Sequence, residues 1–131
     1  MTVQATWQMA LPSAAEAVPR ARHGVVAALR DWDCDALVDA TALVVSELVT
    51  NAVLHARTPL EVTLVQERDG VMVAVRDLAD GQPARRESPS LASTGRGLVL
   101  LEALARSWGV DRHPGGGKTV WALLTQESVD G

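Results

Sequence analysis

Ser46-Glu47-Leu48-Val49-Thr50-Asn51-Ala52-Val53-Leu54-His55 is the stretch on which the reading of this chain turns. Glu47, Asn51 and His55 recur at i, i+4 and i+8, so on a helix a carboxylate, an amide and an imidazole occupy an arc of about 80° on one face. The other positions, with Leu43, Val44 and Val45 just upstream, are apolar nearly all round, so the spacing predicts a largely buried helix. A buried carboxylate with no partner costs several kcal/mol, and the stripe therefore requires a protein partner, water or a ligand. If that ligand is a nucleotide with Mg²⁺, the Asn51 side-chain oxygen is a hard donor of the kind Mg²⁺ accepts. Glu47, one turn away, is then placed to take a proton from an attacking hydroxyl or water. Spacing alone leaves the alternative of a solvated edge on an amphipathic helix, with His55 near the C-terminal end where a cation is favoured.

The helical pattern around this stretch runs from about Asp35, a candidate N-cap, to Ala56, and stops before Thr58-Pro59. Upstream, Val3, Ala5, Trp7, Met9 and Leu11 alternate with polar residues as in a half-buried strand, which Pro12 ends. Ser13-Ala14-Ala15-Glu16 fits a capping box, and Pro19 suits the first turn of a helix reaching about Trp32. Downstream, Leu60 to Gln66 and Val71 to Arg76 read as strands joined by a hairpin at Glu67-Arg68-Asp69-Gly70. Asp77 to Thr94 has no periodicity and reads as a lid-like loop. An apolar helical run follows to Trp108, then a strand at Gly109 to Arg112, a turn at His113 to Gly117 and a strand from Lys118 to about Gln126. Glu127 to Gly131 reads as a frayed end. Strands grouped with helices that can all cover one face predict a two-layer α+β sandwich, with residues 1–131 as a single domain.

Composition narrows the chemistry. Twelve Lys and Arg against sixteen Asp and Glu give a net charge of −4, the wrong sign for nucleic-acid binding through counterion release. A single cysteine, Cys34, excludes an internal disulfide framework and reads as a packing residue. The amino terminus lacks a basic start followed by an apolar block, and no window reads as a membrane span, so the expectation is a soluble cytoplasmic protein without membrane attachment. Gly95-Arg96-Gly97, between a loop and a helix, is suited to receive phosphate oxygens on its backbone N–H groups. It is not a dinucleotide fingerprint, because position 100 is Leu100, and Gly117-Lys118-Thr119 is not a Walker A loop, because the required first glycine falls on Arg112. Gly115-Gly116-Gly117 reads as a hairpin turn. Asp77, at a strand end, is either a turn-former or an acceptor for an exocyclic amine. His23 and His113 have no neighbours at metal-ligand spacing.

Taken together, Glu47 to His55, Asp77 to Gly81, Thr94-Gly95-Arg96-Gly97-Leu98 and Gly117-Lys118-Thr119-Val120-Trp121 resemble the ordered boxes of the GHKL ATPase superfamily. Within it the chain is similar, over about Ala36 to Leu124, to the small bacterial anti-sigma factor kinases. The resemblance implies the Bergerat fold, with helices on one face of a mixed, mainly antiparallel sheet and ATP held between the helices and a lid. It implies Glu47 as general base, Asn51 as Mg²⁺ ligand and His55 on the same nucleotide-facing stripe. It implies Asp77 as the adenine-recognising aspartate, supported by Thr119, with Gly81 in the same box. Gly95, Gly97 and Leu98 match the phosphate-facing turn, and the side chain of Arg96 occupies a variable position there as a candidate phosphate contact.

The implied reaction transfers the ATP γ-phosphoryl to a serine of an anti-anti-sigma antagonist and governs release of a sequestered sigma factor. Dimerisation among such proteins makes the exposed face of the amino-terminal strand and helix a candidate homodimer surface. Only about 35 residues precede the Asn51 helix, too few for the phosphoacceptor hairpin of a histidine kinase, so the substrate is expected to be a separate protein. One position departs from the family pattern: Asp77-Leu78-Ala79-Asp80-Gly81 carries alanine at the first glycine of Asp-x-Gly-x-Gly. If the backbone there needs positive φ, Ala79 costs about 1 kcal/mol. That departure motivates an alternative, a non-catalytic partner-switching module of the same fold with weak or no ATP binding.

Overall fold

The computed structural model describes residues 4–78 and 96–130, with the backbone alone at 96–98. Strand β1 (Thr6–Leu11) is followed by helix α1 (Ala17–Asp31), a 3₁₀ turn (Asp35–Leu37) and helix α2 (Val38–His55). Strands β2 (Leu60–Gln66) and β3 (Gly70–Asp77) precede helix α3 (Arg96–Leu104), strands β4 (Ser107–Arg112) and β5 (Lys118–Thr125), and a short helix α4 (Gln126–Asp130). The strands form one five-stranded sheet in the order β1-β2-β3-β5-β4. The fold is α+β, as the order of elements predicts, but every pairing in this sheet is antiparallel rather than mixed.

Register and alternation decide which face of the sheet is covered. Met9, Val62, Val75, Val120 and Val110 lie in one row across the five strands, and Trp7, Leu64, Val73, Ala122 and Trp108 in the next. These rows face α1 and α2, which pack on each other and over the sheet. Leu29, Val45, Val49, Leu60, Val62, Leu64 and Val73 are fully buried there, and each such side chain stabilises the fold by about 1.5–3 kcal/mol. Gly24 permits the close approach of α1 to β1, since a Cβ at that position would stand 2.3 Å from the Trp7 ring. Gly70 is equally constrained: a Cβ there would lie 1.9 Å from the Leu124 carbonyl oxygen. The β2–β3 hairpin closes as expected, with the Glu67 N–H donating to the Gly70 carbonyl at 2.8 Å.

Several local expectations are corrected. Glu16 occupies the N-cap of α1 in a helical conformation without a side-chain cap, because backbone bonds from Ala17 to Ala14 and from Val18 to Ala15 satisfy the turn instead of a capping box. Asp35 is likewise no cap: it lies inside the 3₁₀ turn that runs directly into α2. Trp108 belongs to β4 and not to the preceding helix. Pairing with Ala122 and the Arg106 N–H to Leu123 carbonyl bond at 2.8 Å outweigh the apolar helical pattern. The carboxyl end is tied down rather than frayed, since Thr125 and Ser128 cap α4 reciprocally and the Ser128 hydroxyl donates to the Leu104 carbonyl at 2.8 Å.

By length and composition one helix, Asp35–His55, does meet the requirement for a membrane span, with a mean hydropathy of 1.6. Half of that window is buried in the fold, and the central helix of a globular core passes the same test. The helix, expected to be largely buried, buries Val38, Thr41, Val44, Val45, Leu48, Val49, Asn51 and Ala52, while two of its apolar residues, Leu43 and Leu54, are 50% and 58% exposed.

Candidate functional site

Helix α2 is continuous from Val38 to His55, so the spacing of Glu47, Asn51 and His55 places them in one stripe. Exposure grades along it: Glu47 is half-buried, Asn51 is 2% exposed and His55 is exposed at the helix end. Glu47 and His55 both have interaction partners. Asn51 differs. Among the described residues, neither its Oδ1 nor its Nδ2 has a hydrogen-bond partner. An unpartnered amide in a core costs about 1–3 kcal/mol, and native folds retain few such groups.

Asp77 is the last residue of β3, paired with Leu60 on one side. It is 3% exposed, so it acts as a buried strand residue and not as a turn-former. The backbone that follows is anchored by the Leu78 N–H, which donates to the Thr58 hydroxyl at 3.1 Å and the Pro59 carbonyl at 3.2 Å. Across the sheet, one step beyond the Arg76–Thr119 pair, stands Lys118. Its Nζ lies 2.9 Å from Asp77 Oδ2, and its backbone N–H donates to Oδ1 at 3.3 Å.

Lys118 is the residue the sequence does not single out: it stands in the Gly117 to Trp121 box and in an excluded Walker A loop, with no side-chain role assigned in either. Thr119, expected to support Asp77, is corrected by the same register. It pairs with Arg76, so alternation turns its side chain to the opposite face of the sheet. There its hydroxyl bonds His113 Nε2 at 2.7 Å. The signal that separates Lys118 from Thr119 is the β3–β5 register, which a hairpin turn between β4 and β5 does not reveal.

Of the remaining expected residues, Gly81 and Gly95 lie outside the described residues, as do Ala79 and the lid-like stretch beyond Leu78. Arg96, Gly97 and Leu98 form the first turn of α3, so the segment expected to face phosphate does open a helix. Helices α2 and α3 are in contact, so α3 shares the helical layer of the Asn51 helix. The three glycines at 115–117 form the expected hairpin turn, closed by the His113 N–H to Gly117 carbonyl bond at 3.0 Å.

Among the described residues, no group of three or more His, Cys, Asp or Glu is arranged to hold a metal ion by itself. Mg²⁺ needs no all-protein cage: it asks for one or two protein oxygens beside waters and a ligand's phosphate oxygens. The unpartnered Asn51 Oδ1 fits that requirement, being a hard oxygen donor with no competing protein contact among the described residues.

The chain is an α+β protein with a helical layer over an antiparallel sheet, an amide on the central helix that has no partner among the described residues, and a buried acid at the end of a central strand. Residues 11–123 match the family of histidine kinase-like ATPase domains, and the chain belongs to that family of ATP-binding domains. A search of curated proteins finds no match.

Proposed function

We propose that this chain is a regulatory protein serine kinase of the anti-sigma factor type. It binds Mg-ATP, transfers the γ-phosphoryl to a serine of an anti-anti-sigma antagonist, and sequesters a sigma factor between such transfers. The observation that carries the ATP site is the buried, unpartnered amide of Asn51, one helical turn from the carboxylate of Glu47. The specific partners rest on the resemblance of the ordered boxes to that group of kinases. Edge strand β1 offers unpaired backbone groups for a homodimer contact.

In this reading the serine Oγ attacks the γ-phosphorus, the bond from that phosphorus to the β–γ bridging oxygen breaks, and ADP leaves. Glu47 accepts the serine proton. Asn51 is the residue that would hold Mg²⁺, which when bound neutralises phosphate charge. Asp77 meets the base, and the first turn of α3 presents backbone N–H groups to the phosphates. Catalysis is by positioning and charge neutralisation, since no covalent enzyme intermediate is required.

Incubation with labelled ATP and a candidate antagonist, followed by phosphoserine mapping, tests the reading. Glu47→Ala is expected to lower transfer at least a hundredfold, the usual scale for a general base, while Mg-ATP binding persists. Transfer at the wild-type rate by Glu47→Ala contradicts the assignment.

A second reading, a partner-switching module with weak or no ATP binding, is favoured by the Asp77 carboxylate being held in an ion pair with Lys118 and by Ala79. Thermal unfolding with and without Mg-ATP separates the two. A nucleotide at 100 times its dissociation constant stabilises the fold by about 2.7 kcal/mol, and no shift at millimolar nucleotide favours the module.

A further inference from the structure

We propose that Lys118 selects the base, and that its pairing with Asp77 admits guanine nucleotides alongside adenine nucleotides. The inference rests on the reading of Asp77 as the group that meets the purine. Two contacts fix the couple: Lys118 Nζ stands 2.9 Å from Asp77 Oδ2, and the Lys118 N–H donates to Oδ1 at 3.3 Å. The Asp77 and Lys118 side chains are only 4% and 17% exposed, so both work in a site largely shielded from water.

A carboxylate acting alone at the base end reads one pattern. It accepts from the exocyclic amine of adenine and repels the guanine O6, an acceptor at the same ring carbon. In a buried site such a mismatch leaves polar groups unpaired, which is the most discriminating arrangement a pocket can have. Lys118 changes the pattern. An ammonium has three donors and no acceptor, so after one is given to Asp77 two remain for a ligand. Acceptor and donor then stand side by side.

Adenine offers that couple an amine donor next to the N1 acceptor. Guanine offers the O6 acceptor next to the N1–H donor. The order is reversed, and the flexible stem of lysine lets the ammonium meet whichever acceptor is present. Guanine also places a concentrated carbonyl dipole against the ammonium, which offsets what a lone carboxylate would lose. The consequence is a site with narrowed discrimination between the two purines.

The test is calorimetric titration of the full chain with Mg-ATP, Mg-GTP and Mg-ITP, the last carrying the guanine-type edge without the 2-amino group. The wild-type chain is expected to bind GTP and ITP within tenfold of ATP. Lys118→Met is expected to worsen GTP relative to ATP at least tenfold, and Lys118→Arg, which keeps both charge and donor, to preserve the wild-type ratio within tenfold. A wild-type preference for ATP greater than tenfold overturns the proposal with no variant needed. So does a Lys118→Met chain whose ATP-to-GTP ratio moves less than tenfold. Binding of ATP with rejection of GTP leaves the ATP site standing and removes only the role of Lys118, whereas binding of neither nucleotide by the folded wild-type chain overturns both.

Discussion

Helices α1 and α2 lie side by side on the same sheet and differ in what they bury. α1 turns Ala17, Ala21, Val25, Ala28 and Leu29 inward and leaves Arg20, His23 and Arg30 in solvent. α2 carries Thr41 and Asn51 into the core while Leu43 and Leu54 stand half-exposed or more. Folding free energy alone favours the first arrangement, because burying apolar area stabilises and burying unpaired polar atoms destabilises. The second arrangement is what remains when a helix keeps groups for something other than its own packing. α1 is a structural helix. α2 is the centre of the core and, in the proposed function, also the wall of the nucleotide site.

The largest effect that sharpens the contrast is on α1. Leu29 is fully buried, and Leu29→Ala is expected to destabilise by about 2–5 kcal/mol in denaturant unfolding. A loss below about 1 kcal/mol breaks the assignment of α1 as a core element. A smaller effect of opposite sign is expected within α2. Thr41 is 0% exposed, and its hydroxyl has no partner among the described residues. Thr41→Val should therefore stabilise by about 1 kcal/mol without altering nucleotide affinity. A destabilised Thr41→Val chain would mean that the hydroxyl is satisfied, and that α2 buries fewer orphaned groups than the contrast requires.

How much of this was legible in the sequence follows from the range of the interactions. The Glu47–Asn51–His55 stripe is a local, helical periodicity, and so it could be read directly. The β2–β3 hairpin and the glycine turn at 115–117 are set by a few adjacent residues and were equally open. The partner of Asp77 was not, because it depends on the register between β3 and β5, two strands separated by α3 and β4. One step in that register exchanges Lys118 for Thr119 and moves the side chain to the other face of the sheet. Trp108 shows the same limit, since an apolar run is compatible with helix or strand until Ala122 is placed beside it. The misread caps at Ser13–Glu16 and Asp35 failed for a different reason, as backbone turns took up the N–H groups that the side chains were expected to satisfy. At the carboxyl end the Ser128 hydroxyl accepts from the Thr125 N–H, the capping role for which Glu or Gln is the usual signal.

The account depends on the buried amide of Asn51 being retained for a magnesium-bound nucleotide at the expense of the empty fold. Thermal unfolding of the wild-type chain and of Asn51→Leu, each with and without Mg-ATP, tests this most directly. Without nucleotide, Asn51→Leu is expected to be more stable by about 1–3 kcal/mol, the cost of the unpartnered polar group it removes, and with nucleotide to show no shift where the wild-type chain does. An Asn51→Leu chain that is less stable than wild type, or that keeps the full nucleotide-dependent shift, contradicts the account.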